Sequence, residues 1–203
     1  MNSPRISGIA ATLPIPDIDT DTIIPIEYCI NRDRPNFDVA LFRSWRYLDN
    51  GDERPEFLLN TDPYRNTKIL VAGANFGCGS SREMAVWALV DFGIKCVIAP
   101  SFGEIFYDNC FQNGLLAARV SRSAATTLSQ AIEQTIGLTL EVNVSEKTIC
   151  ISKSEIFQFE LDNLRSEMLL HDLDPVAATL TQIDAIEGFE KRDRLRRPWV
   201  TPH

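Results

Sequence analysis

The chain has 203 residues, 44% of them hydrophobic, which is enough for one ordinary folded domain with a buried core. Its formal net charge is −8, which disfavours nucleic-acid binding, because proteins that bind a duplex normally carry an excess of basic residues. No run of about 18 apolar residues occurs, and the sequence therefore predicts neither a membrane span nor a secretory signal. We expect a cytoplasmic protein that binds neither nucleic acid nor a membrane.

The 5 cysteines are widely spaced, and no C-x-x-C pair occurs among them. An odd number with such spacing is typical of free thiols in a reducing compartment and not of a disulfide framework. Metal and iron–sulfur sites built by a single chain need closely spaced ligands. We therefore expect no metal or cluster to be bound by this chain alone.

Three parts of the chain differ in composition, and we expect them to form one domain over residues 1–203. The first part, 1–66, is rich in Pro, Asp, Asn and Arg, which favours loops and short strands. Its polar, turn-forming stretch at 31–36 predicts a long loop. Long loops inside a compact domain are uncommon and often functional, so this stretch is a candidate lid or partner surface.

The middle part, 67–120, has the pattern of a β-turn-α-β unit. A short apolar run at 68–72 predicts a buried strand, and a glycine-rich turn follows it. Apolar spacing over 80–90 predicts a helix that ends at Gly93, and a second strand is predicted at 96–99.

A second helix should follow this unit. Ser101 and Glu104 have the spacing of a capping box, and Asn113-Gly114 is a suitable C-terminal stop. The last part, 121–203, predicts an α+β arrangement with a helix at 123–135, strands at 138–144, 148–152 and 156–159, and helices near 161–171 and 181–195.

The stretch N-F-G-C-G-S-S-R-E at 75–83 carries the chemistry. A glycine-rich turn between a strand and a helix lets backbone N–H groups converge on an anion, and the helix N-terminus adds partial positive charge. Arg82 supplies a guanidinium that can pair with a carboxylate, and two serines offer hydroxyls beside it. These residues leave two interpretations open: an anion site with a reactive hydroxyl, or a plain helix N-cap after a tight turn.

Common alternatives for such a turn do not match. No G-K-[ST] follows, the dinucleotide pattern G-x-G-x-x-G lacks its third glycine, and G-x-S-x-G is absent. The stretch therefore predicts neither a Walker phosphate loop, nor a dinucleotide site, nor a nucleophile elbow.

This stretch, together with A-P-S-F-x-x-I-F-Y-x-N-C-F-x-N-G at 99–114, resembles the small subunits of 3-isopropylmalate dehydratases. Further matches are D-T-D-T-I-I-P at 19–25, P-E-F-L-L-N at 55–60, and leucine- and aspartate-containing segments between 169 and 180. These blocks keep the order of that family over nearly the whole chain. The resemblance implies an α/β fold, the swivelling β/β/α three-layer domain of the aconitase C-terminal type.

The resemblance also implies a reaction. In that family a larger partner subunit carries a [4Fe–4S] cluster, and the active site forms between the two subunits. The reaction isomerises 2-isopropylmalate to 3-isopropylmalate by dehydration and rehydration, in leucine biosynthesis. This chain would then be the small subunit of a hydro-lyase that is active only with its large partner, and the substrate would be a substituted malate.

Site residues follow from the same resemblance. Ser80 would be the catalytic base. Ser81 and Gly79 would bind the substrate, and Arg82 would clamp one of its carboxylates. Arg34 falls in the position of an arginine in a substrate-reading loop at about 29–38.

A second set of residues would support this site. They would line the subunit interface and hold either the glycine turn or an arginine of the partner in place: Asp19, Thr20, Asp21, Asn75 and Cys78.

The chain departs from the family pattern in several places. Met84 and Val86 replace a histidine and a proline after S-R-E, the substrate loop reads R-P-N at 34–36, and Glu167 lies in a segment where the family has a histidine. Three alternatives to isopropylmalate isomerisation therefore stay open. The chain could serve a related hydro-lyase for citramalate or dimethylmalate, bind a small carboxylate without chemistry, or be a regulatory subunit.

Overall fold

The structure is a computed structural model that describes residues 5–30, 37–80, 82–171, 173 and 175–200. Its strands are β1 (Arg5–Leu13), β2 (Ile69–Ala72), β3 (Cys96–Ala99), β4 (Leu116–Arg119), β5 (Thr139–Asn143), β6 (Thr148–Ser152) and β7 (Glu155–Gln158). Its helices are α1 (Thr20–Ile23), α2 (Arg43–Arg46), α3 (Glu83–Phe92), α4 (Glu104–Gln112), α5 (Arg122–Gln134), α6 (Asn163–His171), α7 (Pro175–Leu180) and α8 (Ile183–Arg196). Short 3₁₀ turns lie at Ile26–Tyr28, Phe37–Ala40, Leu58–Asn60 and Tyr64–Asn66.

All seven strands form one sheet in the order β4-β3-β2-β1-β5-β6-β7. The long strand β1 joins its two halves. Residues Ala10–Leu13 of β1 pair in parallel with β2, and Arg5–Ile9 pair antiparallel with β5. The parallel half continues through β3 and β4 by way of helical crossovers, and the antiparallel half is a meander of tight turns.

The sheet curls until its two outer strands approach each other. The Glu160 N–H, just after β7, donates to the Arg119 carbonyl at the end of β4 at 2.8 Å. Within this curl helix α5 packs on β1, β2 and β3, and the hydroxyl of Thr12 donates to that of Ser129 at 2.9 Å inside the core. Every residue of β2 and β3 is buried, as is usual for parallel strands covered on both faces.

The C-terminal helices differ from this core. Helix α6 packs against α4 and α7, but α8 has no buried residue. In the described part of the chain no helix combines the length and the apolar character needed to cross a membrane.

Most predicted elements of the middle and last parts are confirmed. The β-turn-α-β unit is formed by β2, α3 and β3, and Gly93 ends α3 with a positive φ of 110°. Helix α4 ends at the predicted Asn113-Gly114 stop. The α/β fold class is confirmed.

Three local predictions were wrong or incomplete. Helix α3 begins at Glu83 and not at Ser80, and the backbone of Arg82, just before it, is still extended. The capping box at Ser101 is not formed: Gly103 precedes α4, and the Ser101 hydroxyl accepts the Asn75 N–H instead. The loop-rich first part contains β1, a nine-residue strand at the centre of the sheet.

Candidate functional site

The predicted glycine turn follows β2 at the carboxyl end of the parallel strands, where α/β sheets usually place their ligands. Asn75, Gly77 and Gly79 all have positive φ, at 60°, 72° and 90°. A Cβ atom added to Gly77 would lie 2.2 Å from the Phe106 ring, so the position requires glycine both for its φ and for space. Gly77 is therefore needed for the chain to pass closely over the Phe106 side chain of α4.

Residues just before α4 hold one side of the turn. The Phe76 N–H donates to the Ser101 carbonyl at 3.1 Å, and the Gly103 N–H donates back to the Phe76 carbonyl at 2.9 Å. The Asn75 N–H donates to the Ser101 hydroxyl at 2.8 Å. Phe76 itself is fully buried and packs edge-on against Phe106.

The segment before α1 holds the other side. The Gly77 N–H donates to the Ile18 carbonyl at 2.7 Å, and the Thr20 N–H donates to the Cys78 carbonyl at 3.0 Å. The Thr20 hydroxyl then donates to the Ser80 carbonyl at 2.8 Å. This hydrogen bond holds the backbone of Ser80 in place, while the residue itself is exposed to solvent.

Arg82 lies immediately before α3, and its side chain is only 12% exposed. Its Nη1 donates to Asp21 Oδ1 at 2.5 Å and approaches the Ile24 carbonyl at 3.4 Å. Both contacts use the same nitrogen, so neither occupies the Nε–Nη2 edge that pairs bidentately with a carboxylate. Asp21 thus fixes the orientation of the Arg82 guanidinium beside the glycine turn.

Asp19 and Asn75 stabilise the two segments that meet at the turn. Asp19 accepts the Thr22 N–H at 2.7 Å as the N-cap of α1. Hydrogen bonds from Thr22 lower the pKa of Asp19, and the positive charge of Arg82 lowers it further. The Asn75 side chain donates to Asp17 Oδ1 at 2.7 Å.

Two cysteine thiols lie in this region. Partial burial raises the pKa of Cys78, and the charges of Asp17 and Asp19 raise it further. Burial also raises the pKa of Cys29, which lies in the fields of Arg82 and Asp21. Both thiols stay protonated at neutral pH, so neither supplies a thiolate at the turn.

The structure brings together most of the residues named from the sequence. Those that meet at the turn are Asp19, Thr20, Asp21, Asn75, Cys78, Gly79, Ser80 and Arg82. Ser81 and Arg34 lie outside the described residues, as does most of the predicted substrate loop. The catalytic and binding roles assigned to all these residues stay predictions.

Sequence reasoning missed Asp17 and Ser101, which hold the turn through Asn75. They lie 58 and 26 residues from Asn75 along the chain, and no local pattern marks such a pairing. Asp17 carries one visible signal, because its positive φ of 57° is most often adopted by Gly, Asn or Asp.

Three of the residues that depart from the family pattern, Met84, Val86 and Glu167, lie outside the glycine turn. Val86 is fully buried in the core, and Met84 packs partly against it. Glu167 lies on α6 and pairs with His171 at 3.1 Å. The turn itself is therefore built from the residues that carry the resemblance.

A cavity of about 580 Å³ opens beside the site. Asp21 forms part of its wall together with Tyr28, Arg43, Tyr47 and Asp49. The cavity and the exposed Ser80 leave the site open on one side, so the residues that the structure describes do not by themselves exclude water from it.

The fold and the turn define the class of the molecule, an aconitase C-terminal domain, and the model of that family matches residues 4–123. The small subunit of 3-isopropylmalate dehydratase from Roseobacter denitrificans is 45% identical over 195 residues, covering 96% of this chain and 97% of that one. The corresponding subunit from Mesorhizobium japonicum is 44% identical, and the match covers 97% of this chain and 98% of that one. The crystal structure of 3-isopropylmalate dehydratase from Methanocaldococcus jannaschii is similar, with a TM-score of 0.63 and 29% sequence identity. The match covers 92% of this chain and 99% of that one.

The chain therefore belongs to the 3-isopropylmalate dehydratase small-subunit family. This confirms the family predicted from the motifs, and it confirms the swivelling β/β/α domain type of the fold.

Proposed function

We propose that the chain is the small subunit of a heteromeric hydro-lyase that isomerises 2-isopropylmalate to 3-isopropylmalate in leucine biosynthesis. One observation carries the proposal: an exposed serine and an oriented arginine lie two residues apart on a glycine turn at a helix N-terminus. Relatives that match this chain over nearly its full length bear that enzyme's name. Its place would be the cytoplasm, where reducing conditions keep the five free cysteines as thiols.

Arg82 would bind a carboxylate of the substrate. Asp21 holds its Nη1, so the guanidinium is already oriented and its Nε–Nη2 edge can pair bidentately with two carboxylate oxygens. A guanidinium fixed in advance loses little conformational entropy on binding. Partial burial strengthens the interaction, because the pair is less screened by water than a surface pair.

Ser80 would take the proton from the carbon next to a carboxylate and return one in the rehydration step. A free serine hydroxyl is a poor base, since its alkoxide is strongly disfavoured in water. Backbone N–H groups at the start of α3, the charge of Arg82 and exclusion of water would stabilise the alkoxide. Because Ser80 is exposed in this chain, exclusion of water would have to come from a partner.

The partner would be the large subunit, which would also hold the [4Fe–4S] cluster. Within the described ranges no three His, Cys, Asp or Glu residues come together as a metal site. Cys96 and Cys110 are fully buried, and burial raises the pKa of both, which disfavours the thiolate that a cluster needs. When bound on the large subunit, the cluster supplies a Lewis-acidic iron for the departing hydroxyl group.

The test is an anaerobic assay of this chain assembled with its large subunit, on a panel of substituted malates. We expect turnover with 2-isopropylmalate and a loss of kcat by a factor of roughly 1,000 or more in Ser80→Ala, with assembly unchanged. Ser123→Ala, at an exposed serine in the first turn of α5, is the matched control and should keep full activity.

Three other outcomes would count against parts of the proposal. Unchanged turnover in Ser80→Ala would remove Ser80 as the base. Preference for citramalate or dimethylmalate would change the substrate but keep the hydro-lyase chemistry. An assembled complex with an intact cluster and no turnover on any malate would refute the enzymatic proposal and favour a binding or regulatory subunit.

A further inference from the structure

Asn113, at the C-terminal end of α4, makes three side-chain hydrogen bonds. Its Nδ2 donates to Glu83 Oε1 at 3.0 Å and to the Asn109 carbonyl at 2.9 Å. Its Oδ1 accepts the indole N–H of Trp87 at 2.8 Å. All of these groups are partly buried, so the hydrogen bonds are shielded from competing water.

The two partners on α3 require an amide between them. Glu83 and Trp87 are four residues apart and lie on the same face of the helix. One needs a donor and the other needs an acceptor. Only an amide side chain of this length satisfies both at once, because a carboxylate would place an acceptor against Glu83.

The position of Glu83 links this hydrogen-bonded group to the candidate site. Glu83 is the first residue of α3 and directly follows Arg82. The first turn of a helix has backbone N–H groups without intrahelical partners, so it frays unless other contacts hold it. Thr20 holds Ser80, Asp21 holds Arg82, and Asn113 holds the next residue, Glu83.

We propose that Asn113 is a positioning residue of the active site, which fixes the first turn of α3 and through it Arg82 and Ser80. This inference rests on the proposed hydro-lyase function. Asn113 acts through Glu83 and does not touch the substrate. Its contribution is to keep the base and the carboxylate clamp in the geometry that the proton transfer requires, where small displacements reduce the rate strongly.

The test exchanges donor and acceptor across the Glu83–Asn113 pair in the assembled two-subunit enzyme. Asn113→Asp sets two carboxylates against each other, and we expect kcat per assembled complex to fall by about ten-fold or more. Glu83→Gln keeps an acceptor for Asn113 and should stay within about three-fold of the wild type. The double variant Glu83→Gln with Asn113→Asp restores the hydrogen bond in the reverse direction and should recover most of the lost kcat.

Gln112→Glu is the control, because it adds the same charge at an exposed neighbouring position and should leave kcat unchanged. A double variant no more active than Asn113→Asp would overturn the inference, as would an Asn113→Asp enzyme that assembles normally with full kcat. A role in folding alone would lower the amount of complex and leave kcat per complex intact, which would also overturn it. If the wild-type complex turned over no malate, the proposed function would fail first, and Asn113 would lose its assigned role.

Discussion

The parallel half of the sheet and the last helix are stabilised in different ways. Every residue of β2 and β3 is buried, and the glycine turn that follows β2 is held by backbone hydrogen bonds from two other segments. Helix α8 has no buried residue, and Leu195 on it is 87% exposed. Its regular structure is supported by pairs one turn apart, such as Lys191 with Glu187 and Arg194 with Glu190.

The difference shows where the conformation of this chain is determined by packing and where it is not. An exposed ion pair on a helix contributes about 0.3–0.5 kcal/mol, while each buried large aliphatic side chain contributes about 2 kcal/mol. The candidate site begins at the end of the buried strand β2, so its backbone is held in place by the same packing. Substitutions in the two regions should therefore differ in their effects by several-fold.

The largest effect is expected for Gly77→Ala. The new methyl group would lie 2.2 Å from the Phe106 ring, and neither the ring nor the turn has free space to yield. We expect the free energy of unfolding to fall by about 3 kcal/mol or more, and turnover of the assembled complex to be lost. Chemical denaturation of the isolated chain measures the first effect.

Gly114→Ala is the matched control for this prediction. Gly114 has nearly the same φ, 69° against 72°, but no atom lies within 4 Å of its added Cβ. It should cost only the strain of the backbone conformation, about 1–2 kcal/mol. Equal losses in the two variants would mean that contact with Phe106 does not stabilise the turn.

The same contrast explains how much of the fold could be predicted. Strands β2 and β3 are continuous apolar runs bounded by glycine or proline, and such runs are buried in any α/β sheet. Strand β1 gives no such signal, because its first half is partly exposed and pairs antiparallel, while its second half is buried and pairs in parallel. The alternation of buried and exposed residues therefore does not follow one period along the whole strand.

The candidate site was predictable in its local part only. The glycine turn with Ser80 and Arg82 is visible because its special backbone and its charges lie within nine consecutive residues. The groups that orient it come from far along the chain: Asp21 lies 61 residues from Arg82, and Asn113 lies 30 residues from Glu83. Pairings of this kind depend on the tertiary fold, and their residue types are common on any protein surface.

A smaller effect is expected for Asp19→Ala. Asp19 caps α1, which carries Thr20 against the turn, and loss of a carboxylate cap costs about 1 kcal/mol. Hydrogen bonds from Thr22 lower the pKa of Asp19 below its ordinary value of 3.8, so its charged form stabilises the fold. This stabilisation is complete above pH 3.8 and is lost as the pH falls through the lower pKa of the folded state.

Urea unfolding of wild type, Asp19→Ala and Asp19→Asn across this pH range tests the assignment. The difference between wild type and Asp19→Ala should shrink as the solution is acidified, whereas Asn keeps the capping oxygen without titrating. A difference between wild type and Asp19→Ala that stays constant with pH would show that the charge of Asp19 does not contribute.

The smallest effect is expected on α8. Leu195→Ser replaces a side chain that is already in water, so the free energy of unfolding of the isolated chain should change by less than about 0.5 kcal/mol. Leu89→Ser, at a fully buried position on α3, should cost at least about 3 kcal/mol. Chemical denaturation of the two variants under the same conditions gives the ratio of their losses in the free energy of unfolding. A large loss in Leu195→Ser would mean that α8 packs on the rest of the chain in solution, and the contrast between the two regions would then disappear.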